Sequence, residues 1–124
     1  MSKRFVASAA VAISALAVGA LAGPAPAQAS TRYGCTYPRV CFYLTASHWT
    51  SQSPTASYQD ITSTWQNLGS QSYGSAYAFN SRNDDVAYFH FTNGRTACVR
   101  PDNPIYLDQY GTVDKIRISS SSTC

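Results

Sequence analysis

Four cysteines in a short, exported chain limit the folds open to this sequence more than any other feature. Cys35, Cys41, Cys98 and Cys124 all lie beyond residue 29, and what precedes them has the order of a secretory leader. Lys3 and Arg4 open it, and an uncharged run rich in Ala, Val, Leu and Ile extends from Phe5 to Ala22. Gly23, Pro24 and Pro26 break the run, and Ala27-Gln28-Ala29 supplies the small–x–small site a signal peptidase cuts. A membrane anchor is the competing reading, because an apolar run of about eighteen residues is near the lower limit for a span. Its small side chains and the cleavage site favour the leader. The expectation is a cleaved signal peptide over 1–29 and a single secreted, extracellular domain over 30–124.

Outside the cytoplasm, an even cysteine count in a small domain reads as two disulfides. Three pairings are possible. Cys35–Cys41 is favoured as a local clip, and Cys98–Cys124 as a staple for the Ser-rich end of the chain, Ser119 to Thr123. Closing the longer loop contributes roughly 3 kcal/mol under the loop-entropy model, a large share of a small domain's stability. Neither pair has zinc-finger spacing.

Of nine basic residues, Lys3 and Arg4 leave with the leader, so against six acidic residues the exported part is nearly neutral. Such a domain has no electrostatic footprint for nucleic acid or for an anionic membrane. Every acid is Asp, and Lys115 is the one lysine beyond the leader, while Tyr, Thr, Ser and Phe are plentiful. That bias favours strands and turns over helices.

Periodicity places strands over Val40–Leu44, Ala76–Phe79, Val86–Thr92, Arg95–Arg100, Ile105–Leu107 and Val113–Ser119. In the last, Ile116 and Ile118 point inward and Lys115 and Arg117 outward. Ile61–Leu68 is a strand or a short helical turn. Thr45–Ser57 is polar, and Pro54 excludes a central strand there. Asn93-Gly94 predicts a two-residue type I′ hairpin, and Pro101-Asp102-Asn103-Pro104 an exposed loop. Asp85–Phe89 and Asp114–Ile118 echo one another, hinting at two related halves. The expected fold is all-β, a small two-sheet sandwich or partly closed barrel.

A family likeness rests on some of the same residues. The opening Cys35–five residues–Cys41-Phe42-Tyr43, the Asp84-Asp85 turn before a strand, and Cys98-Val99-Arg100 followed by Tyr110-Gly111-Thr112-Val113-Asp114-Lys115 resemble secreted actinobacterial proteins of βγ-crystallin type. Among these the chain is most similar to the actinobacterial metalloproteinase inhibitors. The resemblance implies a Greek-key sandwich, and a peptidase inhibitor that offers a substrate-like loop to thermolysin-like enzymes. Its inhibitory residues here would be Cys98, Val99, Arg100 and Pro101, with the scissile bond between Cys98 and Val99. One departure weakens this: the relatives close that loop with a nearby second cysteine, and Pro101–Pro104 contains none. A non-catalytic βγ-crystallin-like or killer-toxin-like module acting at a cell surface or polysaccharide is the alternative, with Tyr33, Tyr37, Tyr58, Tyr73 and Trp49 available to stack on sugars.

The same likeness raises calcium, which takes six to eight oxygen ligands. Asp84, Asp85 and Asp114 are the candidates, but the hydroxyl that should follow each acidic couplet is missing, and turn capping explains the aspartates better. No metal, cofactor or catalytic residue is assigned. His48 sits in a polar stretch, and His90 alternates out of phase with Phe89 and Phe91, so neither joins a recognisable nucleophile or acid–base constellation. The expectation is a monomeric, non-enzymatic protein whose partner is an extracellular peptidase.

Overall fold

A computed structural model describes residues 30–124; the expected signal peptide lies outside the described residues. In chain order the elements are β1 (Thr31–Arg32), β2 (Cys35–Thr36), β3 (Val40–Tyr43), α1 (Ala46–Thr50), β4 (Ala56–Tyr58), β5 (Gln66–Asn67), β6 (Tyr77–Asn80), β7 (Ala87–Phe91), β8 (Thr96–Val99), β9 (Asn103–Tyr106), a 3-10 turn (Leu107–Gln109) and β10 (Val113–Ile118). One sheet has the order β9-β6-β3-β4 and the other β5-β10-β7-β8, with β1-β2 a separate hairpin. Each four-stranded sheet thus draws three strands from one half of the domain and one from the other: β9 crosses into the first sheet and β5 into the second. The all-β sandwich expected from the sequence is what forms.

Alternation builds the core. Val40 and Phe42 on β3 and Ala78 on β6 face Ala87, Phe89 and Phe91 on β7 and Ile116 and Ile118 on β10, all fully buried. Phe42 meets Phe89 edge to face across the sandwich at 5.6 Å. Each fully buried side chain of this size stabilises the fold by roughly 1.5–3 kcal/mol. Tyr43 and Phe79 point the other way, into a second cluster roofed by Tyr33, Trp49 and Tyr77. Both disulfides pair as expected, with Cα–Cα separations of 5.9 Å for Cys35–Cys41 and 6.0 Å for Cys98–Cys124. The Ser-rich end is also held by its backbone, since Val86 N–H donates to Ser121 and Ser119 N–H to Val86.

Several local expectations change. The polar stretch after β3 forms α1, because the Thr45 hydroxyl caps it by accepting from the His48 N–H at 3.2 Å. It then yields β4, which lies at the sheet edge, as Pro54 requires of its neighbourhood. Pro104, expected in a loop, belongs to β9; this is also an edge strand, so the missing N–H removes no ladder bond. The β7–β8 hairpin forms, but not with a type I′ turn. Only Gly94 has positive φ, at 88°, and Gly94 N–H donates to the Phe91 carbonyl. Asn93 instead uses its side chain, accepting from Arg95 N–H and donating to the Tyr110 carbonyl, both at 2.9 Å. The echoing segments are direct antiparallel neighbours, with Arg117 opposite Tyr88 and Ile118 opposite Ala87, rather than counterparts in two halves.

Candidate functional site

Val99 ends β8 opposite Ala87, and it is 6% exposed within the core. A side chain so placed would reach a peptidase pocket only if the strand left the sheet, which weighs against the expected Cys98-Val99 bait. The backbone points the same way. Buried Asn80 donates from its Nδ2 to the carbonyls of Val99 at 3.1 Å, Arg100 at 3.3 Å and Asp85 at 2.9 Å, while its Oδ1 accepts from Arg82 N–H. This one amide secures the exit of β8 and the turn after β6. Beyond the clamp, the chain emerges. Arg100 is exposed, Pro101 half-buried, and Asp102 adopts positive φ (59°) while pairing with Arg32 at 2.6 Å.

Between the edge strands β8 and β9 lies a groove of about 510 Å³, lined among others by Arg100, Asn103, Tyr106, Gln109 and Tyr110, with the Cys98–Cys124 bridge at its margin. Tyr106 ends a row of rings across the outer face of the first sheet. Tyr33 stacks on Trp49 at 4.5 Å and Trp49 on Tyr77 at 5.0 Å, and Tyr77 meets Tyr106 at 4.8 Å with the rings tilted by 35°. Tyr33 reaches this row from the β1–β2 turn through a positive φ of 55°, a conformation that costs an L-residue energy and persists only where its surroundings hold it. The Tyr43 hydroxyl donates to the Tyr33 carbonyl at 2.6 Å. Burial, with Tyr33 beside it, pushes the Tyr43 phenol up to about 12.

Of the aromatics proposed for stacking, the structure brings together Tyr33 and Trp49. Tyr58 is turned inward, edge-on to Phe42 with its hydroxyl on Ser72, and Tyr73 stands apart at 49% exposed. Tyr37 is half-buried outside the row. Tyr77 and Tyr106 complete the row without being among those candidates. Their signal was the alternation of Tyr77 with Phe79, which marks an outer face as apolar as the inner one. Faces inside the row are spent on one another. Only Tyr106, 45% exposed, ends the row with a single ring neighbour among the described residues.

The calcium candidates are dispersed and occupied. Asp85 is buried and held by Arg82, whose Nε and Nη2 both lie 2.6 Å from its Oδ2. Asp114 accepts from Lys115 at 3.0 Å and lies 2.6 Å from the ring Nδ1 of His90. Burial raises the Asp114 carboxyl, but the His90 and Lys115 hydrogen bonds outweigh it and hold the group below its ordinary value. Asp84 is exposed. Among the described residues no three His, Cys, Asp or Glu side chains are grouped to hold a metal. His48 lies within α1, its Nδ1 2.8 Å from the hydroxyl of Thr45, which caps the helix.

No family model, curated protein or solved structure matches this chain.

Proposed function

We propose that the domain is a secreted, non-catalytic binding module of βγ-crystallin type that contacts a polysaccharide or cell-surface glycan through the β8–β9 end of the sandwich. One observation carries this reading: a preformed groove in which an ordered row of rings terminates on the half-exposed Tyr106. A surface already rigid before binding loses little conformational entropy when a partner arrives. The strand exchanged by each half supports the βγ-crystallin likeness, and the two disulfides support an oxidising, extracellular setting. The test is retention of the exported protein on a panel of insoluble polysaccharides and whole cell walls. The expected result is retention on at least one matrix and release by its soluble fragments; passage through every matrix would overturn the reading.

A second reading, peptidase inhibition, keeps one specific support. The Asn80 clamp and the Arg32–Asp102 pair hold the turn at Arg100–Asp102 rigid and outward, as a protein-binding loop requires. The contact would then be Arg100 and Asp102 rather than Val99. Residual activity of zinc and serine peptidases incubated with the domain decides it, since unchanged activity across the panel rejects inhibition.

A further inference from the structure

Resting on the binding-module reading, we propose that the β8–β9 groove takes a pyranose bearing a carboxylate, as in a uronate polymer. Its volume of about 510 Å³ lies within the usual range for small-ligand clefts, roughly 300–1,000 Å³. Three kinds of group meet there. The first is a ring face. Tyr106 is fixed from behind by Tyr77 and is otherwise open, and the electron-rich face of an aromatic ring attracts the weakly positive C–H bonds on one side of a pyranose. Tyr110 offers no second platform, because Phe91 stacks on it at 5.5 Å and the Arg95 guanidinium sits 5.1 Å from its centroid; it serves as a wall.

The second is planar polar capacity for hydroxyls. Gln109 is exposed at the groove, and Asn103 donates its Nδ2 to Pro101 at 2.8 Å, which leaves its Oδ1 without a partner among the described residues. An amide offers both donors and an acceptor, which suits a hydroxyl that must give and receive. The third is charge. Arg100 is the one charged side chain lining the groove, and it enters none of the ion pairs among the described residues. Its carbonyl is held by Asn80, while its exposed guanidinium makes no hydrogen bond or ion pair among the described residues, so the fork is free to bind a carboxylate through two parallel hydrogen bonds. A neutral sugar would leave that fork unused, and a flat apolar ligand would leave the amides unpaired.

The experiment titrates the exported protein with oligogalacturonate and with the same oligomer fully methyl-esterified, by calorimetry. The two ligands share every ring hydroxyl, and esterification replaces each carboxylate with an uncharged methyl ester. The free acid should bind at least about tenfold more tightly, the size expected of a charge-assisted hydrogen bond. Arg100→Gln should abolish that preference while sparing the ester's affinity. Tyr106→Ala should weaken both ligands, and Tyr73→Ala, an exposed tyrosine outside the groove, should change neither. Near-UV circular dichroism checks that each variant is folded. Equal binding of acid and ester, or unchanged affinity in both groove variants, overturns the proposal but leaves the binding module standing. No binding of either oligomer overturns it too, and the binding module falls with it only if the polysaccharide panel is also negative. Saturation by peptides without response to uronate would move the groove to a protein partner and overturn the proposal.

Discussion

Arg82 and Asp85 form a buried ion pair, each side chain 9% exposed, and removing one partner should cost far more than removing both. The guanidinium makes two contacts of 2.6 Å to one carboxylate oxygen and donates from Nη1 to the carbonyls of Pro38 at 2.8 Å and Gln59 at 3.2 Å. It thereby ties the turn after β6 to the segments that precede β3 and follow β4. Arg82→Met keeps most of the aliphatic bulk but leaves a buried carboxylate with no cation and two carbonyls with no donor. Breaking a buried pair in this way costs about 3–5 kcal/mol. Small domains have only about 5–15 kcal/mol in total. Urea unfolding at pH 7, with a slope of about 1.5 kcal/mol/M for a domain this small, should show the midpoint falling by about 2–3 M at unchanged slope. Arg82→Met combined with Asp85→Leu removes both charges, and it should recover much of that loss because replacing a buried pair with apolar groups is often near neutral. A midpoint within about 0.5 M of the parent for Arg82→Met alone would refute the reasoning, since the loss would then be below about 1 kcal/mol. A double variant as unstable as the single one would assign the loss to the carbonyl contacts instead of the charge.

Replacing Cys98 and Cys124 together by Ser should lower stability by about 3.5 kcal/mol, from the loop-entropy relation for a separation of 26 residues, as read by denaturant unfolding. Val99→Ala should destabilise by roughly 1–3 kcal/mol as a core truncation, with glycan binding intact once the protein is folded; a change in binding at unaltered stability would place Val99 in the contact after all. Ser75 carries a buried hydroxyl with no partner among the described residues, so Ser75→Ala should leave stability unchanged or raise it, and a loss above about 1 kcal/mol would reveal an unseen partner. The lowered Asp114 carboxyl contributes stability that is complete above the unfolded value of about 3.9 and is lost as pH falls through its lower folded value. Asp114→Asn should therefore flatten the acid limb of the stability profile. Tyr43, raised to about 12, acts in the opposite direction: its contribution is present below about 10 and lost as pH climbs from there through about 12, a limb that Tyr43→Phe should remove.

The strands were readable where side chains alternate against a single core. Phe89, His90 and Phe91 obey the period of two, and the inward Ile116 and Ile118 with outward Lys115 and Arg117 match the burial of β10. Where the outer face is also covered, alternation gives no guide. Tyr43, Phe79 and Tyr77 are apolar on the face opposite the core, and only the structure reveals that α1 and the β1–β2 turn roof them. The shortest strands, β1, β2 and β5, have two residues each, too few for any period to register. The Cys98–Cys124 pairing was legible because a tail needs tethering. The strand expected over Arg95–Arg100 includes Val99, but Cys98-Val99-Arg100-Pro101 does not show whether the valine faces the core or where β8 ends. What ends it after Val99 is Asn80, nineteen residues away in sequence, gripping two successive carbonyls. The groove is a property of two strand edges from different sheets, and no local pattern encodes their meeting.

The exchange of β5 and β9 between the halves has a consequence for how this domain comes apart. Each sheet ends in a strand supplied by the opposite half, so neither half can complete its own sheet, and the inner faces that form the core are shared property. Loss of Gln66–Asn67 from the second sheet strips the cover from Lys115 and Ile116, and loss of β9 exposes the edge of β6 along Tyr77–Asn80. A break anywhere therefore opens both sheets together. Proteolytic nicking or truncation of one half should release no folded fragment, and the intact domain should melt in a single transition by every optical probe. The same interlocking holds the rim end of the Tyr33–Trp49–Tyr77–Tyr106 row: Tyr77 and Tyr106 stand opposite one another on β6 and β9, paired strands from different halves, and neither can loosen unless the exchanged strand gives way.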